Sequence, residues 1–377
     1  MKNQPPTPGE AEEPIRDVVR AWDRFWFSPR DPTGLALIRI FGGAIIFYAH
    51  LVYSFGLFSY VGRHAWISDP VIDWVRNEAP QFGPSPDWKT GYQLNPVVSQ
   101  GTPVVSWFFE VRDPAWIVVV HSCTLLAMFL LTVGFCTRIT SVVSWLGALS
   151  YIERAPTTVF GMDTMMMIVL LYLMIGPCGA ALSVDRLLHN WRERRRHGPG
   201  WTPPPPAPSV GANLAVRLFQ VHFCFIYLAS GFSKLLGSSW WSGQAPMLVL
   251  LNTEFAPFNV PLYRRTLEFL VRHRWLWETI MNVQVLFTFV VEIGLPFLIW
   301  NRHLRWVRIC GSVLLHTGIG LFMGLVTFSL MMLAMLLAFV PPEVVLRTLA
   351  ALKDQGRQLF ADRRQPAAKP QPVVLGR

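Results

Sequence analysis

Charged residues are scarce in this chain of 377 residues, because Asp, Glu, Lys and Arg together make up only 15% of it. An average soluble domain has roughly 25%. A soluble enzyme needs more polar residues than this to cover its surface, so the composition argues against that class. Hydrophobic residues reach 52%, which excludes disorder for the bulk of the chain. The class that remains is a polytopic membrane protein.

Cysteine is also sparse, and its spacing points to no site. The five cysteines lie in or at the ends of apolar stretches, and none are spaced as a metal site or a CxxC pair. We expect them to pack as small apolar residues. The same holds for the methionine run 165–167, which we expect in the core or against lipid. No metal is predicted.

Long apolar runs dominate the rest of the chain. A membrane helix needs about 20 mostly apolar residues, and eight segments approach this requirement. The predicted spans cover residues 35–59, 115–136, 139–151, 162–182, 214–236, 280–300, 306–322 and 326–340. The sequence therefore predicts an all-α membrane helix bundle, 35–342, between an N-terminal segment, 1–34, and a tail, 343–377. In the tail we expect an amphipathic helix at 344–360, followed by disorder.

The net charge is +10, and the positive residues are distributed as the predicted topology requires. If the N-terminus is cytoplasmic, 21 of the 33 Lys and Arg residues fall on the cytoplasmic side and nine fall outside. Cytoplasmic loops carry such an excess in membrane proteins. We therefore predict that both termini are cytoplasmic, and that the protein lies in the cytoplasmic (inner) membrane if it is bacterial. Basic runs such as residues 192–196 then indicate contact with membrane lipid, and no nucleic acid partner is expected.

Ionisable residues inside the predicted spans are candidate functional groups, since charge in a bilayer is costly. Lys234 falls at the outer end of span five, and Asp163 at the outer start of span four. His316 falls at or just beyond the midplane of span seven, and Glu292 in the middle of span six. The depths of Lys234, His316 and Asp163 predict a polar pocket in the outer half of the membrane that contains an amine, an imidazole and carboxylates.

Structural roles are the alternatives for several of these residues. Lys234 could extend to the outer headgroups, and His316 could be a hydrogen-bonded packing residue. Glu153 and Arg154 could join the pocket or form an interfacial ion pair. Arg39 could bind the C-terminus of a helix or the acidic residue of span six.

The residues alone favour a proton-handling site or a transporter. We see no inverted repeat and no matched pair of broken helices, which argues against a transporter. Trp240 and Trp241 are typical of an interfacial aromatic belt, which can also line the entrance for a lipid ligand.

Several segments together resemble a known family. Residues 226–235 read Ile-Tyr-Leu-Ala-Ser-Gly-Phe-Ser-Lys-Leu and are followed by Trp240 and Trp241. Three shorter segments contribute to the resemblance. They are 31–39 (Asp-Pro-Thr-Gly-Leu-Ala-Leu-Ile-Arg), 134–139 (Gly-Phe-Cys-Thr-Arg-Ile) and 182–185 (Leu-Ser-Val-Asp). In this order they resemble the horizontally transferred transmembrane (HTTM) domain family, which includes the membrane domain of vitamin K-dependent gamma-glutamyl carboxylase.

The resemblance implies a chemistry and a set of residues. Lys234 matches the lysine that deprotonates reduced vitamin K, and His316 matches a histidine of span seven that helps to bind or stabilise the cofactor. In the family, the cofactor and O2 generate a base strong enough to take the γ-proton of a glutamate, and CO2 then adds. The implied cofactor is reduced vitamin K or menaquinol, with O2 and CO2 as co-substrates. Residues expected near it are Asp163, Trp240, Trp241 and Glu292.

The chain departs from the carboxylase at three points. Ser233 replaces the first of two adjacent lysines, and residues 157–163 lack the expected histidine. Only the tail 343–377 follows the last span, where the carboxylase has a luminal domain that binds its substrate. Two hypotheses therefore stand: a carboxylase-like enzyme that uses a quinol, or a non-catalytic module that binds a lipid or quinone. Both allow a soluble partner that replaces the luminal domain.

Overall fold

The computed structural model describes residues 8–77, 81–83, 95–98, 105–252 and 260–362. Helices dominate these ranges, as the composition predicts. Two short strands, β1 (Gln81–Gly83) and β2 (Asn95–Val98), pair antiparallel in the segment between the first two predicted spans. The chain divides into two compact units, residues 1–339 and 340–377.

Nine helices precede residue 198 in the described part of the first unit. They are α1 (Pro8–Phe27), α2 (Thr33–Tyr53), α3 (Leu57–Val61), α4 (Asp69–Asn77), α5 (Trp107–Glu110), α6 (Pro114–Val133), α7 (Thr137–Arg154), α8 (Gly161–Ile175) and α9 (Val184–His197). Short 3-10 turns at Ser54–Gly56 and Pro156–Thr158 follow α2 and α7.

Seven further helices complete the described part of the first unit. They are α10 (Val210–Leu235), α11 (Ser238–Trp241), α12 (Gln244–Leu251), α13 (Pro261–Arg272), α14 (Arg274–Leu298), α15 (Arg305–Met323) and α16 (Val326–Leu336). The segment between the predicted spans 214–236 and 280–300 thus contains α11, α12 and α13.

Five helices of the described chain are long and apolar enough to cross a membrane. They are α2 together with α3 (Thr33–Val61), α6, α10, α14 and α15. A sixth is counted if Val326–Phe339 and Pro342–Gln355 form one span. The helical, membrane-compatible character of the chain is confirmed, and the number of spans that length and hydropathy support is five to six.

The predicted count of eight included three helices that do not meet this test. Helix α7 contains Arg138, Glu153 and Arg154 together with several serines, which lowers its hydropathy. Helix α8 has only 15 residues and ends at Ile175, not near 182. It ends there because Pro177 has no backbone N–H and disfavours helical geometry at the preceding residue. Helix α16 has 11 residues before a 3-10 turn.

The main core lies where α2, α8, α10 and α16 meet. Its apolar side chains come from every one of these helices and include Ile38, Val169, Phe219, Phe223 and Met331, all at most 1% exposed. Met165 and Met166 are buried in this core and Met167 packs against it, as predicted. Cys178 and Cys224 are buried free thiols, and the other three cysteines are exposed and free.

Arg39 is the largest polar side chain in this core, and it is fully buried. Its Nη1 donates to the carbonyl of Cys178 at 2.9 Å, and its Nη2 donates to the carbonyl of Leu182 at 2.6 Å. These carbonyls lie in the segment that follows α8. Arg39 therefore binds the segment beyond the C-terminus of α8, and the expected alternative, a pair with Glu292, does not form.

The turn between α6 and α7 is built around Gly134 and Asp185. Gly134 has a left-handed φ of 78°, and a Cβ there would collide with the guanidinium of Arg39. Only glycine adopts this conformation without strain. The carboxylate of Asp185 accepts hydrogen bonds from the backbone N–H groups of Cys136 at 2.7 Å and of Thr137 at 3.0 Å. The turn is thereby tied to the start of α9.

The second unit contains α17 (Pro342–Asp362). It confirms the amphipathic helix expected at 344–360. The predicted disorder beyond it concerns residues 363–377, which lie outside the described residues.

Candidate functional site

Helix α10 presents its polar side chains on one face near its C-terminal end. Tyr227, Ser230 and Lys234 are separated by three and four residues, so they lie one above the other on the helix. Of these three residues, only Lys234 was predicted from the sequence. The helical spacing of the other two from the lysine is the signal that could have found them.

Gly231 brings α10 against α14 beside this face. A Cβ at Gly231 would lie 2.7 Å from Cγ1 of Ile293, so any larger residue would push the two helices apart. Small residues allow such close approach between membrane helices. Glu292, which precedes Ile293, is thereby placed within reach of Lys234.

Lys234 and Glu292 form an ion pair with little access to solvent. Nζ of Lys234 lies 2.9 Å from both Oε1 and Oε2 of Glu292, and it also donates to Oγ of Ser230 at 2.6 Å. The side chains are 21% and 7% exposed, respectively. Only Oε1 has hydrogen-bond geometry, and Oε2 is buried with no hydrogen-bond partner among the described residues. One carboxylate oxygen can thus accept a further hydrogen bond.

His316 on α15 belongs to a second polar group that contacts α10. Its Nε2 lies 2.6 Å from Oη of Tyr227, and this Oη lies 2.5 Å from Oγ of Ser312. Nδ1 of His316 is buried and lacks a hydrogen-bond partner within the described ranges. Ser312 was not identified from the sequence, although it lies one turn before His316 on the same face.

Both polar groups line one cavity of about 640 Å³. Its described walls come from α10, α11, α12, α14, α15 and α16, and they are mostly apolar. Ile226, Phe287, Ile319, Phe328 and Met332 are examples. A mostly apolar cavity of this size with a few converging polar groups is typical of a small-molecule site.

Of the two tryptophans, Trp240 lines the cavity and Trp241 does not appear in its described lining. The ring centroid of Trp240 lies 5.4 Å from Nζ of Lys234, within the range of a cation–π contact. Trp241 is 69% exposed, and its Nε1 donates to the carbonyl of Leu235 at 2.7 Å. The first is positioned to contact a ligand, and the second fits the interfacial belt.

Helix α12 closes one side of the cavity with Pro246, Val249 and Leu250. Oη of Tyr263, on α13, donates to the carbonyl of Leu250 at 3.1 Å. Burial raises the pKa of Tyr263 above its ordinary value, at which the hydroxyl is already protonated at neutral pH. This bond holds α12 against the neighbouring helix.

The structure does not bring Asp163 or Arg154 to the cavity. Asp163 accepts a hydrogen bond from the backbone N–H of Phe160 at 2.9 Å, at the start of α8, and lines a cavity of only about 10 Å³ beside Tyr53 and Tyr151. Arg154 pairs with Asp69 at 3.0 Å and not with Glu153. Both were expected at the depth of the pocket, but they lie on α8 and α7, which contribute no residue to the described lining of the cavity.

The residues around the large cavity can hold an organic ligand. In the part of the chain that the structure describes, no group of three or more His, Cys, Asp or Glu side chains could hold a metal ion. Amine, carboxylate and imidazole groups at one end of an apolar space suit a ligand with a polar head and an apolar body. No protein-family model, curated protein or solved structure matches the chain, so its function is argued from this cavity.

Proposed function

We propose that the chain is an integral membrane protein that binds an isoprenoid quinol in the 640 Å³ cavity and takes a proton from its ring hydroxyl. In this proposal it is a vitamin K-dependent carboxylase-like enzyme of the HTTM family. The observation that carries it is the Lys234–Glu292 pair beside His316 at one end of a mostly apolar cavity. The quinol is reduced vitamin K or a menaquinol.

The residues fit such a ligand. Nδ1 of His316 is a buried polar atom without a hydrogen-bond partner among the described residues. Oε2 of Glu292 is ion-paired with Nζ of Lys234 and can still accept a hydrogen bond, and both side chains line the cavity. A buried polar atom without a partner is costly, and a hydroxyl-bearing ring would supply one. The apolar walls would accommodate an isoprenoid chain. Contact with apolar side chains would replace the contact that such a chain makes with lipid.

Lys234 must be neutral to accept a proton. Because Glu292 lies 2.9 Å away, the carboxylate can take one proton from the ammonium, and this leaves a neutral amine beside a neutral acid. The amine can then accept the proton of the ligand hydroxyl, so the net acceptor is Glu292. Ser230 and Trp240 hold the amine in place, and Tyr227 orients His316 toward the ligand oxygen.

The bound quinol, with O2, supplies the strong base that no side chain can provide, and CO2 is the second co-substrate. The acceptor is a small or lipid-borne molecule, or a glutamate held by a soluble partner protein. The membrane arrangement that belongs to this proposal has eight spans and two cytoplasmic termini, in the inner membrane if the protein is bacterial.

A second candidate function is a non-catalytic module that binds a lipid or quinone together with a partner protein. The specific observation in its favour is that both carboxylate oxygens of Glu292 lie 2.9 Å from Nζ of Lys234. As an ion pair the two groups are an ammonium and a carboxylate, and an ammonium is no base. In that case the pair stabilises the bundle and the cavity only stores or presents the ligand.

The test is cofactor oxidation in the purified protein. We expect the wild type, in detergent with vitamin K hydroquinone or menaquinol and O2, to form the epoxide, measured by chromatography. Lys234→Ala should lose about 100-fold or more of this rate, the scale of a removed general base. Ser233→Ala is the matched control, because Ser233 is exposed and does not appear in the described cavity lining. Epoxide formation that is equal in wild type and Lys234→Ala would refute the catalytic proposal.

A cavity-filling variant tests binding separately from catalysis. Gly318 lines the cavity, and a Cβ there would have no atom within 4 Å. Gly318→Leu should therefore fold normally, gain roughly 0.5–1 kcal/mol of helix stability, and lose binding of the quinone measured by ligand-induced fluorescence quenching.

The matched control for this variant is Cys310→Leu, on the same helix but exposed and outside the described lining. It should bind like the wild type. Normal quinone binding by folded Gly318→Leu would show that the ligand lies elsewhere. Quinone binding by the wild type without any epoxide would favour the non-catalytic module.

A further inference from the structure

Helix α9 is fixed to the end of the bundle at its N-terminal turn. Oγ of Ser183 accepts a hydrogen bond from the backbone N–H of Arg186 at 2.9 Å and caps the helix. The carboxylate of Asp185 binds the backbone of the turn between α6 and α7. Helix α6 is one of the membrane-compatible helices and ends at Val133, so the start of α9 lies beside the end of a helix that can cross a membrane.

One face of α9 exposes large apolar side chains. Leu187 and Trp191, four residues apart, are 66% and 50% exposed. Residues at this spacing lie on the same side of a helix. The guanidinium of Arg195, four residues further, lies 3.7 Å from the ring centroid of Trp191. A tryptophan stacked with an arginine on an exposed face suits the headgroup level of a bilayer.

The same helix carries an excess of positive charge. It contains five arginines and two acidic residues. Asp185 is used by the turn before α7, and Glu193 pairs with Arg196 at 3.0 Å. Arg192 and Arg194 are exposed beside the apolar face. A basic helix with exposed Trp and Leu is typical of one that lies in the interface of an anionic membrane.

We propose that α9 is a binding surface for anionic phospholipid headgroups, with Leu187 and Trp191 in the acyl boundary and the arginines of residues 192–196 on the phosphates. This inference does not depend on the quinol proposal. The occupant is a lipid and not a nucleic acid, because the charged groups flank an exposed apolar stripe that a nucleic acid would leave in water. The attachment of α9 to the end of α6 also places this stripe at the membrane surface.

The test counts anionic lipid on the intact protein. We expect the wild type, taken from mixed micelles of phosphatidylcholine and phosphatidylglycerol, to retain phosphatidylglycerol selectively, as counted by native mass spectrometry. The variant R192Q/R194Q/R195Q/R196Q should retain at least about five-fold less, because the loss of even one of the four basic contacts with an anionic surface weakens binding roughly five-fold. Equal retention by a monodisperse variant would overturn the proposal.

Two further variants separate lipid binding from general effects of charge and folding. R192K/R194K/R195K/R196K keeps the charge and should restore retention. R264Q/R265Q/R272Q, on α13, removes basic residues elsewhere and should behave like the wild type. Loss of a bound 20-nucleotide RNA in the glutamine variant, without loss of phosphatidylglycerol, would assign the surface to nucleic acid and refute the lipid proposal.

Discussion

Glu292→Ala is expected to lower the free energy of unfolding by about 3–5 kcal/mol, because it leaves the ammonium of Lys234 without its partner in an apolar site. Nζ of Lys234 has Ser230 as its only other hydrogen-bond partner among the described residues. The measurement is the midpoint of unfolding in a detergent series with increasing dodecyl sulfate. The same variant should lose epoxide formation, because the proposed net proton acceptor is gone.

A double variant distinguishes the structural role of the pair from its chemical role. Replacing both charges, in K234M/E292L, removes the unpaired ion and should recover most of the lost stability, since apolar replacement of a buried pair is often neutral. Epoxide formation should not recover. Destabilisation of the double variant as large as that of Glu292→Ala would contradict this account of the pair. Recovery of stability together with activity would exclude Lys234 and Glu292 from the chemistry.

Arg39→Ala is expected to cost about 2–4 kcal/mol of unfolding free energy. It removes two charge-assisted hydrogen bonds, to the carbonyls of Cys178 and Leu182, and leaves buried acceptors without partners. A cavity also remains where the fully buried side chain was. The same detergent unfolding series measures the effect.

Two control variants test whether the loss of stability is specific to the guanidinium of Arg39. Arg39→Lys keeps the charge, but one ammonium cannot replace a planar group that donates to two carbonyls in different directions. It should lose about half as much stability as Arg39→Ala. Arg138→Ala removes an exposed arginine nearby and should change stability by less than about 0.5 kcal/mol. A loss for Arg39→Ala no greater than that of Arg138→Ala would mean that the two carbonyls find other donors.

Hydrophobic runs predicted where the helices lie, but the ends of the helices were predicted less well. The apolar pattern continues past Ile175, so the sequence predicted a span to residue 182, whereas Gly176 and Pro177 end α8. Length alone would have removed α16 from the list of complete spans. The breaks are local backbone effects that an average over a 20-residue window does not contain.

The topology gave each site residue an expected depth in the membrane, but it did not give the direction of its side chain. Topology placed Lys234 and His316 in one outer pocket with Asp163 and put Glu292 in the middle of its span, whereas the structure places Lys234, Glu292 and His316 on one cavity. Asp163 had a suitable depth and still lies elsewhere. Depth follows from position along a helix, but which face meets which neighbour depends on packing, and Gly231 decides it for Lys234 and Glu292 through its contact with Ile293. A single sequence does not show such a contact.

The large cavity can form, and bind its ligand, only late in the synthesis of the chain. Every described residue of its lining lies between Ile226 and Met332, and α16 contributes the last of them. A ribosome must therefore have polymerised nearly the whole bundle before the site exists. The ligand cannot help the first helices to insert, and loading has to follow membrane insertion. A cell that lacks the ligand should accordingly still accumulate the inserted, empty protein.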